Sequence, residues 1–335
     1  MSRSMSDCLL QLVAQNFLAP ATVKAVKAML GDSSNSYLTN AAVRGASYAA
    51  TDAGAWFAPQ QYMTYNNDTP PSSCDNSYTQ CYAHGCSNSA FDNFVSPHQA
   101  RRCHIDESYF TSCRCHCLLL HTNNTQTGIL TDTPVPYNAA NKTQALTLII
   151  GLFAMMSSPL DNDLFTGADI NVNFNGAATT LYNAHTVLVP QALGNSTQIA
   201  SYILGNMSAP ASSTSPYAYT AANMTSWLEN LSTCWVMTTS IQWPYEANQL
   251  VCSAVYAGLS APNAIAGKEL GTKSKWYKTQ APVVQMQIAR AGYRMAAMLN
   301  LLFKGEPALA VPDTAIVPMC NTTALTKAGT AFKNA

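Results

Sequence analysis

Apolar residues recur at helical spacing along most of the chain. Leu9, Leu10, Leu12, Val13 and Phe17 mark a first helix over 8–18. Pro20 ends it and opens a second, Ala21 to Leu30, stopped at Gly31. Ser36 to Ala50 reads as a third helix with an alanine-rich face, followed by a turn at Thr51-Asp52-Ala53-Gly54. The run ALTLIIGLFAMM from Ala145 predicts a buried helix that stops at Ser157-Ser158-Pro159-Leu160. INVNFNGAATT predicts a short strand or hairpin, turned at Asn175-Gly176 and leading into another helix. Further helices are expected over 197–206, 221–232, Trp243 to Ala257 and Gln280 to Phe303. The last has the broadest apolar face, built from Val283, Met286, Ile288, Ala291, Met295 and Leu299. The expected class is mainly α with a few short strands. One domain is expected over 1–304, with an atypical insertion at about 97–138 and a disordered extension over 305–335.

Composition bears on how such a globule stays in solution. Hydrophobic residues make up 48% of the 335, enough for a large core, yet only 10% are charged. The usual charged share is about 25%. Net charge is zero, so no basic field draws nucleic acid or membrane to the surface. The partner is left open, with only a weak case for nucleic acid or a nucleotide. Sequons at Asn67, Asn123, Asn141, Asn195, Asn206, Asn223, Asn230 and Asn321 suggest glycans in place of charge, and hence an extracellular protein. The first residues, MSRSMSDCLLQLVAQNFL, hold no uninterrupted apolar run followed by a cleavage site, so they do not read as a leader. Leu146 to Met156 is too short for a membrane span, which needs about 20 apolar residues.

The 11 cysteines are an odd number, which leaves at least one thiol free or paired between chains. Four of them fall in 97–138, with His98, His104, His116 and His121. Cys103, Cys113, Cys115 and Cys117 resemble a metal cluster in number, but C-x-C-x-C lacks the C-x2-C spacing that suits one tetrahedral ion. A metal or disulfide knot, a flexible insertion and translated non-coding sequence are three open readings of this segment.

Several stretches carry a resemblance. They are AQNFL at 14–18, SYLTNAA at 36–42, TDAGAWFAP at 51–59 and PPSSCDNSYTQCYAHGCSNSAF at 70–91. Further on come GADINVNFNG at 167–176, YEANQLVCSAV at 245–255 and QIARAGYRMAAMLN at 287–300. In order and spacing this set resembles the zinc-dependent single-strand nucleases of the S1/P1 type, over roughly residues 8–304. The resemblance implies a largely α-helical single domain with the phospholipase C-like fold, and disulfides Cys74–Cys252 and Cys81–Cys86. It also implies three zinc ions in a cleft and hydrolysis of single-stranded DNA, RNA and 3′-nucleotides. Zinc there polarises the phosphate and lowers the pKa of a bound water toward about 7.

Carried over position by position, the family's zinc ligands do not recur. The N-terminal Trp falls near Ser2, and the five His positions fall on Asp7, Gln61, Gly151, Asp161 and Tyr182. The three Asp positions fall on Ala46, Met155 and Thr186. Only Asp7 and Asp161 could ligate, so no catalytic residue, no metal site and no cofactor are expected. Retained scaffold with erased ligands suggests a catalytically inactive, secreted, glycosylated member with a binding or structural role. The alternatives are an active zinc-dependent endonuclease or 3′-nucleotidase, and a metal-free enzyme acting on a small molecule in a remodelled cleft. Tyr182 and His185, at i and i+3, are read as a packed Tyr with a surface His rather than an acid–base pair. The tryptophans are read as core or rim residues rather than base-stacking platforms.

Overall fold

The structure, a computed structural model, describes residues 5–55, 57, 68–74, 140–162, 167–208, 221–228, 235–259, 265–304 and 309. The segment 97–138 and the pair Cys81–Cys86 lie outside the described residues, as does 305–335 apart from Leu309. The architecture is helical, with α1 (Met5–Gln15), α2 (Pro20–Leu30) and α3 (Tyr37–Ala49) first. After a short 3-10 turn at Asp52–Gly54 comes α4 (Ala140–Ser157). A hairpin of β1 (Asn171–Phe174) and β2 (Ala177–Thr180) leads into α5 over 181–193, whose middle, Ala184–Leu188, is wound as a π-helix. Then come α6 (Ser196–Ser208), α7 (Ala221–Ser226), α8 (Trp235–Leu250) with a π-helical end at Val251–Val255, and α9 (Lys275–Lys304).

α1 explains the core. Every residue from Cys8 to Ala14 is buried, so the helix is enclosed on all sides rather than amphipathic. α9 packs along it, with α3, α4 and α6 around the rest. α4 is similarly enclosed, from Ala145 to Met156. Met155 and Met156 fill core space as expected, and Trp227, Trp243 and Trp276 are core residues. Their rings are therefore not base-stacking platforms. Cys74 and Cys252 are disulfide-bonded across 178 residues, with Cα atoms 5.7 Å apart. Cys8 is disulfide-bonded too.

Element boundaries differ from expectation where a buried partner, not periodicity, decides. α8 begins at Trp235, eight residues before the expected Trp243. Its last turn widens so that the carbonyls of Ala254 and Val255 receive side chains from α9. Gln280 Nε2 donates to Ala254 O at 2.8 Å, and Trp276 Nε1 to Val255 O at 2.8 Å. Those two contacts also hold the first turns of α9, which starts at Lys275 rather than Gln280 despite Pro282 within it. α7 closes at Ser226, before the expected end at 232.

The hairpin follows its sequence. Asn175 and Gly176 both have positive φ, 52° and 81°, as a two-residue turn between twisted strands requires. A third segment, unanticipated, pairs with β1 through a parallel bridge between Asn173 and Glu269. The Glu269 carboxylate accepts the backbone N–H groups of Asn175, Gly176 and Gly271 at 2.8, 2.9 and 2.6 Å.

α9 lies very close on α1 at Gly292. A Cβ there would lie 2.7 Å from the Leu10 carbonyl oxygen and from the Val13 side chain on α1. Gly292→Ala is therefore expected to destabilise the fold by about 1–3 kcal/mol, because two buried helices must separate. A lowered urea midpoint at unchanged slope would confirm it; an unchanged midpoint would show that α1 and α9 yield without cost.

Candidate functional site

The positions to which the resemblance assigns zinc ligands fall on elements that surround α1. Ala46 lies on α3, Gly151 and Met155 on α4, and Tyr182 and Thr186 on α5. α3 and α4 pack directly against each other, and α5's π turn touches α1. Ala46, Gly151, Met155 and Thr186 are buried, and Tyr182 is half-buried. The α3–α4 contact is close because small residues meet there. A Cβ on Gly45 would sit 3.1 Å from the Thr147 carbonyl oxygen. Ala42, Ala46 and Ala49 extend the small buried surface along α3. Asp7 lies in α1 and Asp161 in a 3-10 turn, Pro159–Asn162, but both side chains lie outside the described residues. Ser2, Gln61, His84 and the Cys/His segment also lie outside them.

Zinc needs imidazole, thiolate or carboxylate donors at about 2.0–2.3 Å. Among the described residues no group of three or more His, Cys, Asp or Glu could hold a metal. Ala46 and Gly151 have no donor, and Met155 offers only a thioether, a soft and weak one. Thr186 Oγ1 donates to the Tyr182 carbonyl oxygen at 2.8 Å, a bond made within its own helix. The described residues at these positions do not fit a zinc trio.

One side chain here departs from expectation. His185 is buried, not on the surface, at 3% exposure. Its ring meets the edge of Trp276, centroids 6.4 Å apart. Among the described residues neither Nδ1 nor Nε2 has a hydrogen-bond partner. It lies one turn after the buried Leu181, inside the π-wound stretch 184–188. Burial pulls its pKa down from the usual 6.5 to about 4, so the imidazole is neutral at pH 7. It has no acidic or basic partner for catalysis. The Tyr182–His185 pair thus lacks an acid–base arrangement.

A second polar group lies farther along α9. Arg290 and Arg294, one turn apart, share one carboxylate oxygen of Glu246 on α8. Arg294 also donates to the Trp227 carbonyl oxygen at 2.8 Å and lies over the Trp243 ring, 5.1 Å from its centroid. Burial lowers the Arg294 pKa to about 10, opposed by Glu246, so it stays charged at neutral pH. Sequence reading passed over this group. Its signal was two arginines at i and i+4 within an otherwise apolar helix face, with a glutamate in YEANQL to answer them. The arrangement pins α8, α7 and α9 together.

Of the sequons, Asn67, Asn123, Asn230 and Asn321 lie outside the described residues. Asn141 and Asn223 lie on α4 and α7, with side chains outside them. Asn195 and Asn206 flank and end α6. No described helix is long and apolar enough to cross a membrane.

Comparison with known proteins places the frame. The S1/P1 Nuclease family profile matches residues 9–304. Nuclease S1 of Aspergillus oryzae is 28% identical over 295 residues, 87% of this chain and 88% of the relative. Nuclease PA3 of a Penicillium species is 26% identical over 304 residues, covering 88% and 95%. Nuclease P1 of Penicillium citrinum matches to the same extent.

The buried imidazole makes a pH prediction. A His whose folded pKa is depressed from 6.5 to about 4 stabilises the fold fully above pH 6.5. That contribution is lost as pH falls from 6.5 toward 4, up to about 3 kcal/mol. His185→Phe should flatten this part of the stability profile. Denaturant midpoints measured between pH 7 and 4 test it, and parallel profiles for the two proteins would overturn it.

Proposed function

The chain belongs to the S1/P1 nuclease family, and we propose that within it this protein is a non-catalytic member, exported and glycosylated, with a binding or structural role. The observation that carries the reading is the set of residues at the family's ligand positions. Ala46, Gly151, Met155, Tyr182 and Thr186 stand where the resemblance expects imidazoles and carboxylates. Four of the five are buried, so water and a hydrated dication are kept away from them. The scaffold is retained around them: the Cys74–Cys252 disulfide, the Asn175-Gly176 turn and the long final helix. A disulfide closing so long a loop supports an oxidising compartment. With low charge at the surface, any partner is met through uncharged polar groups rather than a basic field.

The competing reading is an active zinc-dependent nuclease; the relatives' names say nuclease. It would need ligands drawn from residues outside those described here, with Asp7 and Asp161 as anchors. A remodelled metal-free active site has less support, since His185 has neither a proton partner nor access to solvent.

The test is the zinc content of the purified protein by mass spectrometry, alongside hydrolysis of single-stranded DNA and a 3′-nucleotide. The expected result is less than one zinc per folded chain and no cleavage above a buffer control, with or without added zinc. Near three zinc per chain with cleavage would overturn the proposal.

A further inference from the structure

Helix α6 presents a face that the rest of the molecule does not explain. Ile199, Ala200, Ile203, Leu204 and Met207 are buried against the core. Gln198, Ser201, Tyr202 and Gly205 are exposed. From Asn195 to Ser208 there is no charged residue at all. Tyr202, at 56% exposure, is the one exposed large apolar side chain among the described residues. An uncharged face with a protruding ring needs another source of hydration.

Asn206 is placed to supply it. It opens the sequon Asn206-Met207-Ser208 one helical turn beyond Tyr202. Residues at i and i+4 on a helix are neighbours on the surface, with Cβ atoms about 5–6 Å apart. Asn206 Nδ2 donates to the Tyr202 carbonyl oxygen at 2.9 Å, so the amide is turned back along the helix toward residue 202. Beside it, a Cβ on Gly205 would meet nothing within 4 Å among the described residues.

We propose that Asn206 carries an N-linked glycan whose first N-acetylglucosamine covers the Tyr202 ring. In the transfer, Asn206 Nδ2 attacks C1 of the sugar in a lipid diphosphate-linked oligosaccharide. The N–C1 bond forms, the C1–O bond to the diphosphate breaks, the lipid diphosphate leaves and one amide proton is released. The amide keeps a second N–H, so the bond to the Tyr202 carbonyl survives modification. The apolar face of the sugar then rests on the aromatic face, and its hydroxyls turn outward to water. Asn195, at the other end of α6, is engaged differently. Its Oδ1 accepts from Gln198 N at 2.9 Å while Gln198 Oε1 accepts from Asn195 N at 3.3 Å, a reciprocal helix cap. Replacing Asn195 would remove that cap whether or not it bears a sugar, so it makes a poor probe.

The inference rests on export, not on loss of catalysis, and its readouts do not depend on zinc or cleavage. The full chain behind a secretion leader is produced in a glycosylating host and trimmed enzymatically to one N-acetylglucosamine per site. Mass spectrometry of the peptide holding Asn206 is expected to show that sugar. Trimmed wild type is expected to melt a few degrees above trimmed Asn206→Gln. In a Tyr202→Ser background the same difference should shrink by at least half. An unmodified Asn206, or an equal difference in both backgrounds, would overturn the proposal. If the chain fails to leave the cell, translation into microsomes decides instead: a glycan mass shift lost in Asn206→Gln supports the site, and no loss of shift sinks it.

Discussion

The fold depends on one helix serving as hydrogen-bond donor to the ends of others. A helix leaves its last carbonyls without partners, and burying them unpaired costs about 1–3 kcal/mol each. α9 answers several. Trp276 and Gln280 take the carbonyls at the end of α8, and Gln287 takes that of Ser157 at the end of α4, at 2.7 Å. Arg294 takes the Trp227 carbonyl just after α7. Asn300 donates to Phe17 and accepts from Ala19 in the link between α1 and α2. These side chains are spaced along one helix, so the termini of four other elements are fixed relative to a single rod. Gly292 then lets that rod lie directly on α1.

That dependence explains what was legible in the sequence and what was not. Helix and hairpin positions came through because each is written locally. Proline and glycine bracket α2, and Asn175-Gly176 fixes the turn. The donors on α9 were not legible as donors. Gln280 and Gln287 look like ordinary polar residues in a helical pattern, and their acceptors lie 26 and 130 residues away. Glu269 was missed for the same reason: an isolated carboxylate whose meaning comes from a turn more than 90 residues earlier. His185 was misplaced because the ring it packs against, Trp276, lies far along the chain. The family frame was legible from ordered short motifs across the chain, which a matched family profile over 9–304 bears out.

The candidate site was legible as a set of positions and much less as a place. On the reading proposed above, replacing ligands by small residues changes more than the donor count. Mutually repelling dications and their hydrated ligands hold helices apart. Ala46 and Gly151 do not, and α3 meets α4 with Gly45 almost against the Thr147 carbonyl. A histidine put back at Gly151 would enter a buried helix position rather than a wet cleft. Overpacking of that kind costs about 1–3 kcal/mol before any metal arrives, and a lone imidazole there gains nothing from zinc. Several replacements would have to be made together before binding energy offset the strain. The reading thus makes loss of the site self-reinforcing. Small residues let α3 pack closely on α4, and the helix ends that α9 holds are fixed by hydrogen bonds within the protein.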